Sequence, residues 1–352
     1  MTIPTEPIGS IPRPAKLIEA LANRDHMDPK LDSLYELAIR DTIERFEATG
    51  SPVITDGEQR KYHNFWTYPV DGAANTSPDG FTIPFEGHNR RMPQLTSGPF
   101  RYRVYADRYL DTAMRYAHVP VKQAVISPSA LSLMYPATKI PGYSRAEFID
   151  DLLREHETEI RRCLDKGAHK VQVDFTEGRL AIKLDPTGKL LNSFIDLNNL
   201  ALSRFTSAEL LRIGVHTCPG SDRDSTHSAD VDYAELLPGL FQLKAGNFYI
   251  ALTGEQDYAR VLKIIRTHMK PEQRIFIGVV APIDPRVETA EEIRDHILEA
   301  ARYIPVEQLG TTDDCGFAPF CDDTSTSRDT AFAKIEARVH GTALASKVLA
   351  GG

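Results

Sequence analysis

Short apolar runs rich in β-branched residues alternate along this chain with longer stretches whose apolar positions recur every three or four residues. The runs are Pro52–Thr55, Val121–Ser127, Lys170–Phe175, Arg212–Thr217, Asn247–Thr253, Arg274–Val280 and Gln308–Thr312, with Glu6–Ser10 as an eighth. Runs of this kind are what strands buried on both faces require. Ser144 and Glu147 form a capping-box pattern ahead of Phe148, Leu152, Ile160 and Leu164, and Thr289 and Glu292 repeat it ahead of Ile293, Ile297 and Ala301. Leu31–Ala48, Ser207–Leu211, Tyr233–Leu243, Tyr258–His268 and Thr330–Leu349 fill further crossovers. The alternation predicts an α/β fold, a (β/α)8 barrel, with an open doubly wound sheet as the competitor.

One region departs from the alternation. Residues 62–105 are rich in Pro, Gly, Asn and aromatic residues, with short alternating pieces at Gly80–Phe85 and Phe100–Val104. This reads as a hairpin-like insertion after the second strand, lying over the mouth where barrel active sites form. His63, Trp66 and Tyr68 within it are either a lid wall or ordinary packing. Nothing in it suggests a separate domain, so residues 1–352 are expected to form one catalytic barrel.

Composition narrows the function classes. The 352 residues carry a net charge of −8, which argues against nucleic-acid binding. No apolar run approaches the roughly 20 residues of a membrane span. The start, Met1-Thr2-Ile3-Pro4, lacks the basic and apolar regions of a signal peptide, so a cytoplasmic location is expected. Four cysteines in such a chain are seldom disulfides. Cys163 reads as a small buried hydrophobe; Cys218, Cys315 and Cys321 fall in polar, loop-like contexts.

Barrel chemistry collects at the C-terminal strand ends, and unusual polar residues recur there: Asp56-Gly57-Glu58, Ser127-Pro128-Ser129, Asp174 with Glu177, His216-Thr217-Cys218, Glu255, Asp284 and Asp313-Asp314-Cys315. His216 and Cys218, two apart on a strand, share a face and can meet one ion. Zinc accepts imidazole and thiolate together. A third ligand must come from elsewhere; Cys315 is the best placed by strand order, with Cys321 as a substitute. Read alone, His-x-Cys is more often a packed cysteine beside a hydrogen-bonded histidine. Ser127 is a further substrate-binding candidate. His227, in the loop after the zinc strand, is either an acid–base group or part of a hydrated loop. Arg179 and Lys183 read better as surface charge than as an anion site.

The ordered motifs resemble the C-terminal catalytic barrel of the cobalamin-independent methionine synthases. Gly9-Ser10-Ile11-Pro12-Arg13-Pro14, Asp56-Gly57-Glu58, Val171-Gln172-Val173-Asp174, Val215-His216-Thr217-Cys218 and Thr312-Asp313-Asp314-Cys315-Gly316 carry the likeness. The resemblance implies that His216, Cys218 and Cys315 hold Zn²⁺. It also implies that Ser10 seats an amino acid's carboxylate, and that Glu58 and Asp174 bind its ammonium group.

The departures matter as much. The family's fourth zinc ligand, a glutamate at the end of the sixth strand, falls within Ile250-Ala251-Leu252-Thr253-Gly254-Glu255, which puts an apolar residue at the ligand position and leaves Glu255 as a displaced candidate. The histidine after the seventh strand falls near Ile283-Asp284, and the tryptophan that stacks on folate is replaced within Ser132-Leu133-Met134-Tyr135. The expected function is a zinc-dependent methyl- or alkyltransferase acting on a homocysteine-like thiol. Its partners would be that thiol and an alkyl donor, with a homo-oligomer or a methyl-carrier protein as further possibilities. The alternatives are a zinc-dependent lyase or hydrolase acting on a thioether, an epoxide–thiol transferase, and a non-catalytic zinc- or thiol-binding protein.

Overall fold

The computed structural model describes residues 2–23, 28–61 and 65–351; His63 lies outside them. Ten strands are present among the described residues. Four belong to the insertion: β1 (Thr76–Ser77), β2 (Thr82–Phe85), β3 (His88–Arg91) and β4 (Gln94–Leu95). The other six are β5 (Gln123–Ile126), β6 (Val171–Asp174), β7 (Ile213–Thr217), β8 (Asn247–Ile250), β9 (Arg274–Gly278) and β10 (Leu309–Thr312). These six form one parallel sheet in sequence order. Every residue of β5 to β8 and β10 is buried, as expected for strands covered on both faces.

The first two barrel segments continue that sheet through single bridges. Thr5 pairs in parallel with Thr311 beside β10, and Ile54 with Val121 beside β5. Pro4 and Pro7 have no N–H to give to a ladder, which limits the first segment to a bridge. The two outer segments then meet each other: Ile11 N donates to Gly57 O at 3.0 Å, and Thr55 Oγ1 donates to Gly9 O at 2.7 Å. The result is a (β/α)8 barrel.

Helices cover the outside. The two expected capping boxes are formed, by Ser144 with Glu147 ahead of Arg145–Asp165 and by Thr289 with Glu292 ahead of Ala290–Ala300. A third, Thr206 with Glu209, starts Ser207–Leu210. Cys163 is fully buried in the first of these helices. No helix among the described residues is long and apolar enough to cross a membrane.

The insertion is a nested pair of antiparallel ribbons, β1 with β4 and β2 with β3, turning at Glu86-Gly87. Phe100–Val104, expected to be extended, forms no strand. Its backbone donors go elsewhere: Phe100 N to the Tyr143 hydroxyl, Tyr102 N to Glu155 and Arg103 N to Pro69 O. The β2–β3 hairpin lies across the loops that follow β7 and β10. Glu86 N donates to Thr226 O at 3.1 Å. Arg90 donates to Asp222 at 2.7 and 3.0 Å and to Asp322 at 2.9 and 3.1 Å. His88 Nε2 lies 2.6 Å from the same Asp222, whose side chain is wholly buried. Phe85 packs on His227 and Phe320. Trp66 and Tyr68 are buried; Trp66 packs edge-on against Phe81 within the insertion, and Tyr68 donates to Glu159 at 2.7 Å, tying the insertion to the barrel.

Candidate metal centre

The strand β7 points His216 inward, and the chain leaving it carries Cys218 to the same end of the barrel. The segment after β10 brings Cys315 beside them. One ligand atom from each of the three lies within 4.8 Å of the others, and all three residues are buried. The two sulfurs are 3.1 Å apart, too far for the ~2.05 Å of a disulfide. A tetrahedral ion with ~2.3 Å zinc–sulfur bonds would spread them to ~3.8 Å.

The donor set suits a cation. His216 Nδ1 lies 3.2 Å from Tyr249 O, which orients the ring, and Nε2 is buried with no partner. The hydrogen bond shared with Cys218, together with burial, pushes the Cys315 thiol well above its ordinary range. Ionising two adjacent buried thiols is costly unless a positive charge compensates them, and a dication supplies that charge. A nitrogen and two sulfurs at this spacing fit zinc.

Ala251, which follows β8, packs against both cysteines in a small buried cluster. No carboxylate therefore projects from that position. Glu255 lies further along the loop and is not brought into the group of three; its carboxylate pairs with Arg179 Nη1 at 3.3 Å. Cys321 is likewise outside the group. Asp314 shapes the loop instead. Its carboxylate accepts from Leu252 N at 2.8 Å, Thr253 N at 3.0 Å and the Thr253 hydroxyl. A Cβ on Gly278 would lie 1.8 Å from Asp314, so only glycine admits this approach.

The other expected side chains lie on the adjoining strand ends. Ser10 Oγ accepts from Ala318 N at 3.2 Å, and a Cβ on Gly316 would lie 2.1 Å from that oxygen. The glycine after Cys315 therefore lets the first and last strand ends touch. Glu58 adopts a φ of 57°, a costly conformation for a residue with a Cβ, held by its N–H donating to Asp56 Oδ1 at 2.8 Å. Its Oε1 lies 3.3 Å from the buried Lys61 ammonium. Asp56 Oδ2 is buried without a partner, and burial raises its carboxyl to about 6. Asp174 sits in register with His216 and accepts from Gln172 Nε2 at 2.7 Å. Ser127 donates to Glu177 Oε1 at 2.6 Å and caps the helix Pro128–Ser132.

His227 is a packed side chain. Its Nδ1 lies 2.7 Å from Ser228 Oγ, and a Cβ on Gly220 would meet its ring at 2.5 Å. Burial, with Arg179 and Lys183 nearby, lowers it to about 3, so it is neutral at pH 7. Arg179, read from sequence as surface charge, is among the most deeply buried large side chains. It stacks 4.2 Å above the Tyr233 ring and donates to Val231 O at 2.7 Å. Its burial comes from the loop 219–231 folding over it, which sequence periodicity does not reveal.

Comparison with known proteins gives the family and the fold. Residues 3–330 match the cobalamin-independent synthase catalytic domain. The chain is 22% identical to a methionine synthase from Sulfurisphaera tokodaii over 99% of this chain and 94% of the relative. It is 24% identical to a 5-methyltetrahydropteroyltriglutamate–homocysteine methyltransferase from Coxiella burnetii over 89% of this chain, but spans only 39% of that longer protein. A B12-independent methionine synthase from Shewanella sp., solved with selenomethionine, superposes with a TM-score of 0.75 at 18% identity, covering 100% of both chains. The chain belongs to the family of cobalamin-independent synthase catalytic domains.

Proposed function

We propose that this chain is a zinc-dependent methyl- or alkyltransferase whose acceptor is a small thiol of the homocysteine type. The observation that carries the reading is the convergence of His216, Cys218 and Cys315 at the barrel mouth, with Ala251 where a fourth protein ligand would otherwise stand. Three protein ligands leave a coordination position for an exogenous thiol. Zinc, when bound, would supply a thiolate at neutral pH, where a free thiol is mostly protonated.

The chain's own groups would do the rest. Ser10 would seat the acceptor's carboxylate, with Glu58 and Asp174 taking its ammonium group. Lys61 and Gln172 fix the orientation of those two carboxylates before substrate arrives. The selenomethionine named with the Shewanella structure is the selenium analogue of a methylated thiol amino acid, and supports this choice of acceptor. The β2–β3 hairpin would shield the site from water by its hold on Asp222 and Asp322.

Calorimetric titration of homocysteine into zinc-loaded and zinc-stripped protein tests the reading. Binding that requires zinc and releases a proton is expected. Equal binding with and without the metal would contradict it.

A further inference from the structure

A chamber separate from the amino-acid groups reaches the metal centre at Cys315. It has a volume of about 260 Å³ and is lined by Cys315 together with residues that follow β6, β7, β8 and β9. Ser10, Glu58 and Asp174 do not line it. An acceptor thiol held by those three residues would leave this chamber free for the other reactant.

The lining states what the reactant must be. Its walls are small and apolar, including Pro219, Ala251, Ala281 and Ile283. The volume is below the ~300–1,000 Å³ of pockets for drug-sized ligands. The charged groups are one cation, Arg179, and two carboxylates, Glu255 and Asp314. Arg179 is 2% exposed, and its Nε–H is buried with no partner although both terminal nitrogens are engaged. A buried donor without an acceptor in a chamber wall is a group that a ligand acceptor would satisfy. The surrounding carboxylates favour positive charge on the rest of that ligand.

We propose, building on the transferase reading above, that this chamber binds the alkyl donor, and that the donor is a compact onium carboxylate such as a methylsulfonium acid. The carboxylate meets Arg179 and the onium methyl faces Cys315. In the transfer, the acceptor's thiolate sulfur forms a bond to the methyl carbon while the carbon–sulfonium bond breaks. The bonding electron pair leaves with the donor sulfur as a neutral thioether. No proton is needed by the leaving group, which suits a chamber beside a neutral, packed His227. A methylfolate donor, by contrast, departs as an amine that must be protonated.

The test uses zinc-loaded protein with homocysteine, and dimethylsulfoniopropionate and S-methylmethionine as probes, beside 5-methyltetrahydrofolate and methylcobalamin. Calorimetry reads donor binding and mass spectrometry reads methionine formation. The variants are Arg179→Gln, which removes the cation, and Ala281→Leu, which fills the chamber from the loop after β9 and leaves the arginine in place. Binding of a sulfonium probe, weakened at least tenfold in Ala281→Leu and in folded Arg179→Gln, with methyl transfer to homocysteine, is the expected result. Transfer from methylfolate or methylcobalamin alone, or sulfonium binding that neither variant alters, would overturn the assignment. Homocysteine binding that still requires zinc in that case leaves the acceptor reading standing; its loss removes both.

Discussion

Glu6 and Glu177 are buried to nearly the same degree, at 1% and 6% exposure, near opposite ends of the same barrel, yet their surroundings act in opposite directions. At the N-terminal end, Glu6 accepts from Lys170 Nζ and from the Tyr249 hydroxyl, both at 2.5 Å, with Lys122 and His169 close by. Burial alone would raise its carboxyl, but His169, Lys170 and Lys122 outweigh it and hold the group far below its ordinary value. At the mouth, Glu177 has only the hydroxyls of Ser127 and Ser129 on one oxygen, and its other oxygen has no partner. Burial dominates there and raises it to about 7. The comparison teaches where this molecule spends polar groups on holding its shape and where it keeps them incomplete. The lower cluster around Glu6 is closed by its own strands. The contrast is between the two carboxylates: both oxygens of Glu6 are engaged, whereas one oxygen of Glu177 has no partner.

The contrast can be broken most forcefully from below. Glu6→Gln leaves Lys170 and Lys122 buried without their counter-charge, and should cost about 3–5 kcal/mol in urea unfolding. A loss below about 1 kcal/mol would mean that the lower cluster is not what closes the barrel. Glu177→Gln sharpens the other half. Because the folded-state value lies above the unfolded one, the carboxyl's contribution is fully present below pH 4.5 and is lost as pH rises through about 7. The substitution should therefore leave stability at pH 4.5 nearly unchanged and raise it relative to wild type by up to about 3 kcal/mol at pH 8. A pH-independent difference would contradict the assigned environment.

Smaller effects concern the coverings of the mouth. Arg90→Ala removes the fork that joins Asp222 to Asp322, and should cost about 2 kcal/mol. Protease cleavage at the Glu86-Gly87 turn should accelerate while the helices stay protected. Unchanged cleavage would show that the Arg90 fork does not hold the hairpin, leaving Glu86 N on Thr226 O, His88 on Asp222 and the Phe85 contacts to do so. Ala251→Glu restores a carboxylate beside the two cysteines. Zinc retention against a chelator should improve about tenfold, about 1.4 kcal/mol, and homocysteine should bind less readily. No change in either would mean that position 251 does not face the ion.

Sequence reading reached some of this and missed the rest for physical reasons. The α/β alternation was legible because strands covered on both faces need continuous apolar runs. That His216, Cys218 and Cys315 meet was legible because period-two spacing puts the first two on one face, while the third followed from strand order and the family resemblance. The near-absence of ladder in the first two segments was hidden, since it depends on which backbone groups find partners across the barrel. Arg179 was misread because its burial comes from a loop some fifty residues away in sequence. Asp314, beside Cys315, was visible as a residue; its role of tying down Leu252 and Thr253 was not, because it joins segments about sixty residues apart. Glu255 was placed on the correct loop, but its partner is Arg179.

Metal content tests the central claim most directly. Wild-type protein, purified anaerobically, should carry close to one zinc per chain, and Cys218→Ser and Cys315→Ser should each lose most of it while keeping the wild-type circular dichroism spectrum. A wild-type protein that takes up no zinc even after anaerobic reconstitution, or cysteine variants that retain it in full, would contradict the account.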